Sequence, residues 1–317
     1  MGGLSLTGPS PRVKCSLPGC KRLFQTAAAM EDHRWASHNL PIGGKASCGF
    51  PGCNAWFDTK EQLKQHGEDM HPEAPKPWVC QECGDLYRTE AGLDSHCVVM
   101  HSVSRIPSTK RHEIETAFLR AWAKTETAPR RVHEVLAIST SQLAQTLHND
   151  YAEQVRKQAG GSHQDVRCLQ DGNVRIRFHG SGMKCSLGLH GNTSLCPEPD
   201  CGVCGILRSG FRSKKIRTDA FQRFGTGFYL TSASGKANDY AWADDHTMGR
   251  HGLRAMLVCQ VVAGRVYRTV NNEPLLMRPP DQYDSVVGEV GPVLNYDEIV
   301  VYNKRAILPL YLVIYSA

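Results

Sequence analysis

The sequence has no apolar stretch long enough to cross a bilayer. The longest, Ala306 to Tyr315, is interrupted by Pro309 and falls well short of the roughly 20 residues a spanning helix needs. The opening Met1-Gly2-Gly3-Leu4-Ser5-Leu6 lacks the charged and apolar regions of a secretory leader, and Leu6 stands where N-myristoylation requires Ser or Thr. No membrane partner is therefore expected, and the expected location is the nucleus or the cytoplasm, the nucleus ahead. A disulfide framework is also missing, although the chain has 13 cysteines. Six of them form close pairs, each followed by two histidines at a fixed distance, which is the spacing of metal ligands and fits a reducing compartment. The front of the chain lacks excess charge of either sign. Residues 1–104 hold 10 basic and 11 acidic side chains, so the net charge of +6 arises in residues 105–317, which hold 27 and 20.

Three in-register repeats follow a tail at 1–12. Cys15, Cys20, His33 and His38 read C-x4-C-x12-H-x4-H; Cys48, Cys53, His66 and His71 repeat that spacing; Cys80, Cys83, His96 and His101 read C-x2-C-x12-H-x4-H. Two thiolates on a tight knuckle and two imidazoles about one helical turn apart can meet one tetrahedral zinc ion. Phe24, Phe57 and Tyr87, with Met30, Leu63 and Leu93, recur at equivalent positions as miniature cores, and zinc supplies most of the folding energy of such units. Residues 13–104 thus resemble ββα zinc fingers of the two-Cys, two-His kind. That family reads bases from three helix positions, here Thr26, Ala29 and Asp32, then Thr59, Gln62 and Gln65, then Thr89, Gly92 and Ser95. None is the Arg that most often reads guanine. The linkers 39–47 and 72–79 are long, and the neutral charge gives counterion release little to work with. The finger ligand stays open between nucleic acid and protein.

From Arg105 the pattern predicts a helix carrying Ile114, Phe118, Leu119 and Trp122 and ending near Pro129, and a second helix over about 139–157. Alternation from Val174 to Phe178, and in parts of 253–262, 298–302 and 308–315, predicts strands. The domain at 105–317 is therefore expected to be α+β. Four segments carry chemistry: Phe178-His179-Gly180-Ser181, Phe224-Gly225-Thr226-Gly227-Phe228-Tyr229, Lys236-Ala237-Asn238-Asp239-Tyr240, and Tyr296-Asp297-Glu298-Ile299-Val300-Val301-Tyr302. The Gly225-Thr226-Gly227 triplet does not signal a dinucleotide-binding Rossmann turn, because no third Gly follows at the required spacing and the continuation reads as a strand.

In this order, together with Gly205-Ile206-Leu207 and Tyr283-Asp284-Ser285-Val286, the segments resemble the poly(ADP-ribose) polymerase family, the diphtheria-toxin-like ADP-ribosyltransferases. The resemblance implies a split mixed β-sheet and NAD as a consumed substrate. It assigns His179, Tyr229 and Glu298 to catalysis, and His179, Gly180, Ser181, Tyr229, Ala237 and Tyr240 to NAD binding. By the same resemblance His179 hydrogen-bonds the adenosine ribose, the Gly180 backbone holds the nicotinamide carboxamide, Tyr229 and Tyr240 sandwich the nicotinamide ring, and Glu298 stabilises the positive charge that develops on the ribose. Ala237 departs from the family, where a Ser hydroxyl commonly reaches the carboxamide. One lost hydrogen bond, about 0.5 to 1.5 kcal/mol, weakens binding without abolishing the reaction.

A second departure is an insertion with Cys185, Cys196, Cys201 and Cys204 spaced C-x10-C-x4-C-x2-C. It reads either as a structural zinc site over the substrate, with His190 as an alternative ligand, or as a loop of free thiols. His190-Gly191 is also a rival to His179-Gly180 as the catalytic turn, although only His179 ends a clear strand. The basic run Arg208, Arg212, Lys214, Lys215 and Arg217 faces the NAD pyrophosphate, a polyanionic acceptor or nucleic acid, or else is a solvated helix face. The span between the last finger and His179 leaves no room for a separate helical regulatory domain. The expected function is transfer of ADP-ribose from NAD to a protein or nucleic-acid acceptor chosen by the fingers. The rival is a zinc-finger binding protein whose second domain holds NAD or ADP-ribose without catalysis.

Overall fold

The structure is a computed structural model that describes residues 13–14, 23–24, 46–48, 53, 55–57, 60–72, 78–87, 89–129, 131–159, 166–212, 221–243 and 252–317. Contacts divide the chain into two units, 1–96 and 97–317. Among the described residues no helix is long and apolar enough to cross a membrane.

Among its described residues the front unit contains three hairpins of two-residue strands: β1–β2 (Val13–Lys14 and Leu23–Phe24), β3–β4 (Ala46–Ser47 and Trp56–Phe57) and β5–β6 (Trp78–Val79 and Leu86–Tyr87). The second and third hairpins are followed by helices α1 (Lys60–Met70) and α2 (Glu90–Met100). Cys48 N donates to Ala55 O and Cys80 N to Asp85 O, which closes each Cys knuckle, and the turn after Cys83 uses Gly84 at φ 75°. That left-handed conformation suits glycine because it has no Cβ. Phe57 packs its ring 4.6 Å from His66, and Tyr87 packs 4.8 Å from His96. The first ligand set, Cys15, Cys20, His33 and His38, lies outside the described residues, as do Thr26, Ala29, Asp32 and Met30.

The second unit is built on a five-stranded antiparallel sheet. Its strands are β7 (Val103–Arg105), β8 (Arg131–Ile138), β9 (Val174–Gly180), β11 (Leu253–Val262) and β15 (Ile307–Ser316), in the order β7-β8-β15-β11-β9. Strand β11 is buried along nearly its whole length, as expected of a strand covered on both faces. Helix α3 (Ser108–Arg120) covers one face through Ile114 and Phe118, four residues apart and so on one side of the helix. Phe118 lies 5.0 Å from the ring of Tyr315 and 6.0 Å from that of Phe178. Helix α4 (Gln142–Ala159) covers the other face with Tyr151 and Val155.

Helix α3 is shorter than the expected 105–129. Ser104 and Arg105 pair with β8, Pro107 begins the helix, and Ala123 turns at φ 55°. Trp122 is buried just beyond the helix end, whereas Leu119 is exposed. The second helix spans 142–159 instead of about 139–157, because Ser139 N bonds Ser102 O beside the first strands.

A second, four-stranded sheet has the order β10-β14-β13-β12, formed by Phe228–Leu230, Glu298–Val301, Ser285–Gly288 and Val266–Thr269. Its β12–β13 pair is parallel and the others antiparallel. The two sheets meet where Phe178 and Thr231 exchange both main-chain hydrogen bonds, at 2.8 and 3.1 Å. This is the α+β, split and mixed arrangement that the strand pattern and resemblance imply.

Candidate active site

The junction of the two sheets gathers the charged and aromatic side chains. In the β10–β14 register Tyr229 faces Val300 and Leu230 faces Ile299, so one further step sets Thr231 opposite Glu298. Thr231 is also bridged to Phe178. His179, Tyr229 and Glu298 therefore lie within two residues of one row crossing three neighbouring strands, and about 10 Å of backbone separates the outer two.

His179 places Nδ1 2.9 Å from the carbonyl oxygen of Tyr229. A carbonyl only accepts, so Nδ1 carries the proton and Nε2 is left as the acceptor. Burial lowers the His179 pKa, although the Tyr229 bond partly opposes this, so the ring is neutral near pH 7. Phe211 meets it edge-on with centroids 4.9 Å apart.

Gly180 follows, and its lack of a side chain is a steric requirement. A Cβ there would lie 1.9 Å from Ala237 O and 3.0 Å from Ala241 N. The segment Ser234–Tyr240, a short helix running into a 3-10 turn, is thereby laid directly against the His-Gly turn. Ser181 is held equally close to Gly202, where a Cβ would stand 2.3 Å from Ser181 Oγ. Tyr229 donates through its hydroxyl to Gly225 O (2.8 Å) and accepts from Phe224 N (2.9 Å), which ties the ring to the loop before β10. Burial, with smaller contributions from Glu298 and Tyr240, pushes its phenol to about 12, so it stays protonated. Tyr240, by contrast, is exposed.

Glu298 is buried, with 7% of its surface exposed. Burial raises its carboxyl pKa, while Lys236 and Arg223 pull it back down. The ammonium of Lys236 lies 3.6 Å from Glu298 Oε1 and 5.4 Å from the Tyr240 ring centroid. Lys236, Arg223, Lys124, Asp239 and Tyr296 line a cavity of about 300 Å³ beside this carboxylate. Sequence reasoning gave Lys236, Arg223 and Phe211 no role. Only Lys236 lay within a quoted segment, and nothing in the pattern linked it to Glu298, 62 residues later.

His190, the rival to His179, is exposed in a turn at φ 51° and lines a different cavity with Arg105 and His133. Of the basic run, Arg208 donates to Cys196 O and Arg212 is exposed; Lys214, Lys215 and Arg217 lie outside the described residues. Among the described residues, three groups have ligand atoms within 4.8 Å of one another and could each hold a metal ion: Cys48, Cys53, His66, His71; Cys80, Cys83, His96, His101; and the all-cysteine set Cys185, Cys196, Cys201, Cys204.

A family model described as the poly(ADP-ribose) polymerase catalytic domain matches residues 108–290. That range includes His179, Gly180, Tyr229, Lys236 and Tyr240 and stops before Glu298. The mouse (Mus musculus) protein mono-ADP-ribosyltransferase PARP4 is 30% identical over 149 residues, covering 45% of this chain and 7% of the relative. The chicken (Gallus gallus) protein mono-ADP-ribosyltransferase PARP3 is 32% identical over 108 residues, covering 33% and 19%. The chain thus spans less than a fifth of the length of either relative. With more than half of its residues inside the matched range and with His179, Gly180 and Tyr229 meeting at the junction of its two sheets, this chain belongs to the poly(ADP-ribose) polymerase catalytic domain family.

Proposed function

We propose that the chain is an NAD-dependent ADP-ribosyltransferase that moves ADP-ribose onto a protein or nucleic-acid acceptor, with the zinc fingers selecting the target. The observation that carries this reading is the buried Glu298 carboxylate, held 3.6 Å from Lys236 on the strand beside Tyr229 and His179.

The reaction breaks the bond between the ribose anomeric carbon and the nicotinamide nitrogen. The bonding electrons leave with nicotinamide, and the ribose passes through an oxocarbenium-like state of the kind met in glycoside chemistry. Glu298 accepts a hydrogen bond from the neighbouring ribose hydroxyl and stabilises that charge; the same carboxylate can take up the proton of an incoming nucleophile. Lys236 pulls the Glu298 carboxyl pKa back down against the rise that burial causes, and so favours the carboxylate. Nε2 of His179, fixed as an acceptor, receives a hydroxyl of the adenosine ribose. The rings of Tyr229 and Tyr240 offer flat faces to the pyridinium, and Gly180 lets backbone approach where a Cβ would collide. Ala237 offers no hydroxyl to the carboxamide.

Zinc would be held by Cys48, Cys53, His66 and His71 and by Cys80, Cys83, His96 and His101, and by the first Cys/His set. It would supply the folding energy of units too small for a core of their own. Incubation of the full chain with NAD labelled in the ADP-ribose moiety tests the reading. The expected result is label on a macromolecule and stoichiometric nicotinamide release, both lost in Glu298→Gln. Binding of NAD without nicotinamide release, in zinc-loaded folded protein, would establish the non-catalytic rival instead; free ADP-ribose with no labelled target would mean that water is the acceptor.

A further inference from the structure

The insertion after the His-Gly-Ser turn brings four sulfurs together from separate stretches of chain. Cys185 Sγ lies 3.5 Å from Cys204 Sγ and 3.9 Å from Cys201 Sγ, and all four sulfurs, Cys196 included, fall within 4.8 Å of one another. Four thiolates placed about 2.3 Å from a tetrahedral zinc ion stand about 3.8 Å apart, close to the 3.5 and 3.9 Å separations of Cys185 from Cys204 and Cys201. Cys201 and Cys204 are completely buried. Lys184 N donates to Cys201 Sγ at 3.3 Å, which fixes the position of that sulfur. The loop is shaped to hold this geometry. Gly188 and Gly191 turn at φ 83° and 75°, Leu187 and Leu195 are buried beneath it, and Leu195 N bonds Val99 O at 2.8 Å.

The same loop is wired to the His-Gly turn. Val203 N donates to Gly182 O at 3.1 Å, and Gly202 packs on Ser181 with no space for a Cβ. The helix α5 (Gly202–Ser209), which Cys201 precedes as its N-cap and which contains Cys204, leads directly to Phe211, the residue that meets the His179 ring at 4.9 Å. An ion gripping Cys185 on one side and Cys201 and Cys204 on the other would lock the start of this helix to the chain segment that follows His179.

We propose that Cys185, Cys196, Cys201 and Cys204 form an all-sulfur structural zinc site within the catalytic unit, additional to the finger sites, and that this ion sets the position of Phe211 against His179. Binding releases the thiol protons to solvent and involves no redox change. The second half of the proposal rests on His179 belonging to an NAD site; the first half does not.

The test uses the full chain. Metal analysis of reduced, purified protein is expected to give about four zinc ions per chain, and about three for C201A/C204A. Cobalt substitution of the unmodified chain reports the same site without any variant, because an all-thiolate centre adds strong sulfur-to-metal charge-transfer absorption beyond that of the Cys/His fingers. Calorimetric NAD binding is expected to weaken about tenfold or more in C201A/C204A and in Phe211→Ala, with Phe211→Ala still holding four zinc ions. A zinc content of three in the unmodified chain, with cobalt spectra accounted for by the fingers alone, overturns the site. Loss of one zinc with unchanged NAD affinity overturns the link to Phe211. An unmodified chain that binds no NAD defeats the functional reading and that link together, while the metal count still decides the site.

Discussion

Substituting Gly180 by Ala tests the close approach at the His-Gly turn more sharply than removing a charged group. The added Cβ would start 1.9 Å from Ala237 O and 3.0 Å from Ala241 N, and real Cβ atoms essentially never come within 3.0 Å of a neighbour. The obstruction is main chain, so no side-chain rotation relieves it, and β9 or the Ser234–Tyr240 segment must move by about 1 Å. Overpacking of this kind costs about 1 to 3 kcal/mol of stability. A misplacement of about 1 Å between groups that must act together costs roughly a hundredfold in rate. Because Lys236 and Tyr240 ride on the displaced segment, activity should fall further than stability. Urea denaturation and nicotinamide release from NAD measure the two effects on one sample. Gly205→Ala is the control: its Cβ meets nothing within 4 Å, and in a helix the change should stabilise by up to about 1 kcal/mol and leave turnover intact. A folded Gly180→Ala protein with kcat/KM within threefold of the parent would refute the argument that this approach shapes the substrate pocket.

Replacing Lys236 by Met removes the main charge opposing the burial of Glu298, whose carboxyl pKa is already raised. With the ionised carboxylate as the working form of the proposed reaction, the acid limb of the kcat/KM profile should move to higher pH, and an unmoved limb would separate Lys236 from Glu298. His148 is buried with its pKa lowered by burial from 6.5, and its Nδ1 is hydrogen-bonded to Arg305 O. The neutral ring is favoured in the fold, so its contribution is complete above pH 6.5 and declines as pH falls below it. Denaturation at pH 7.5 and 5.5 should therefore show a larger acid loss in the parent than in His148→Gln. Asp284 accepts from Arg265 N and Nε at 2.8 and 3.0 Å, and its other oxygen accepts from the guanidinium at 3.2 Å. Asp284→Asn should cost about 1.5 to 3 kcal/mol in urea denaturation with little change in the KM for NAD.

That last residue shows what the motifs conceal. Tyr283-Asp284-Ser285-Val286 reads as a signature, yet Asp284 clamps Arg265 and Ser285 Oγ bonds Ala263 O, so its structural task is to join β12 and β13. The glycines of Gly225-Thr226-Gly227 are likewise steric. Gly225, at φ 66°, would carry a Cβ 1.7 Å from Leu276 O, and Gly227 one 2.3 Å from Val300 Cγ1. Period-two strands such as β9 were legible because their alternation survives. The first long strand, β8, had no visible boundaries because its register against β15 shifts at Ile314/Tyr315, leaving Val132 and Val135, three residues apart, both buried. A bulge erases the periodicity on which strand recognition depends.

The two His-Gly pairs mark the boundary of what local sequence can say about the site. His179-Gly180 and His190-Gly191 are the same dipeptide. At the first, the glycine is pressed against Ala237 and Ala241 and the imidazole tautomer is set by Tyr229; at the second, the glycine turns at φ 75° with nothing within 4 Å of a Cβ. The strand before His179 was the available cue for ranking the pair. The partners of His179 and Gly180 come from positions 32 or more away, and such partners leave no local trace. Lys236 is the strongest instance. Its value to Glu298 arises from the pairing of β10 with β14, which places Glu298 one step beyond the Leu230–Ile299 pair, and from the turn that returns the chain after Thr231. An ordinary surface lysine becomes the counter-charge of a buried carboxylate only when both strands are in that register. A slip of one residue would turn Glu298 to the other face and leave it beside Phe228 and Leu230 of the partner strand, so the sheet register and the charge pair stand or fall together.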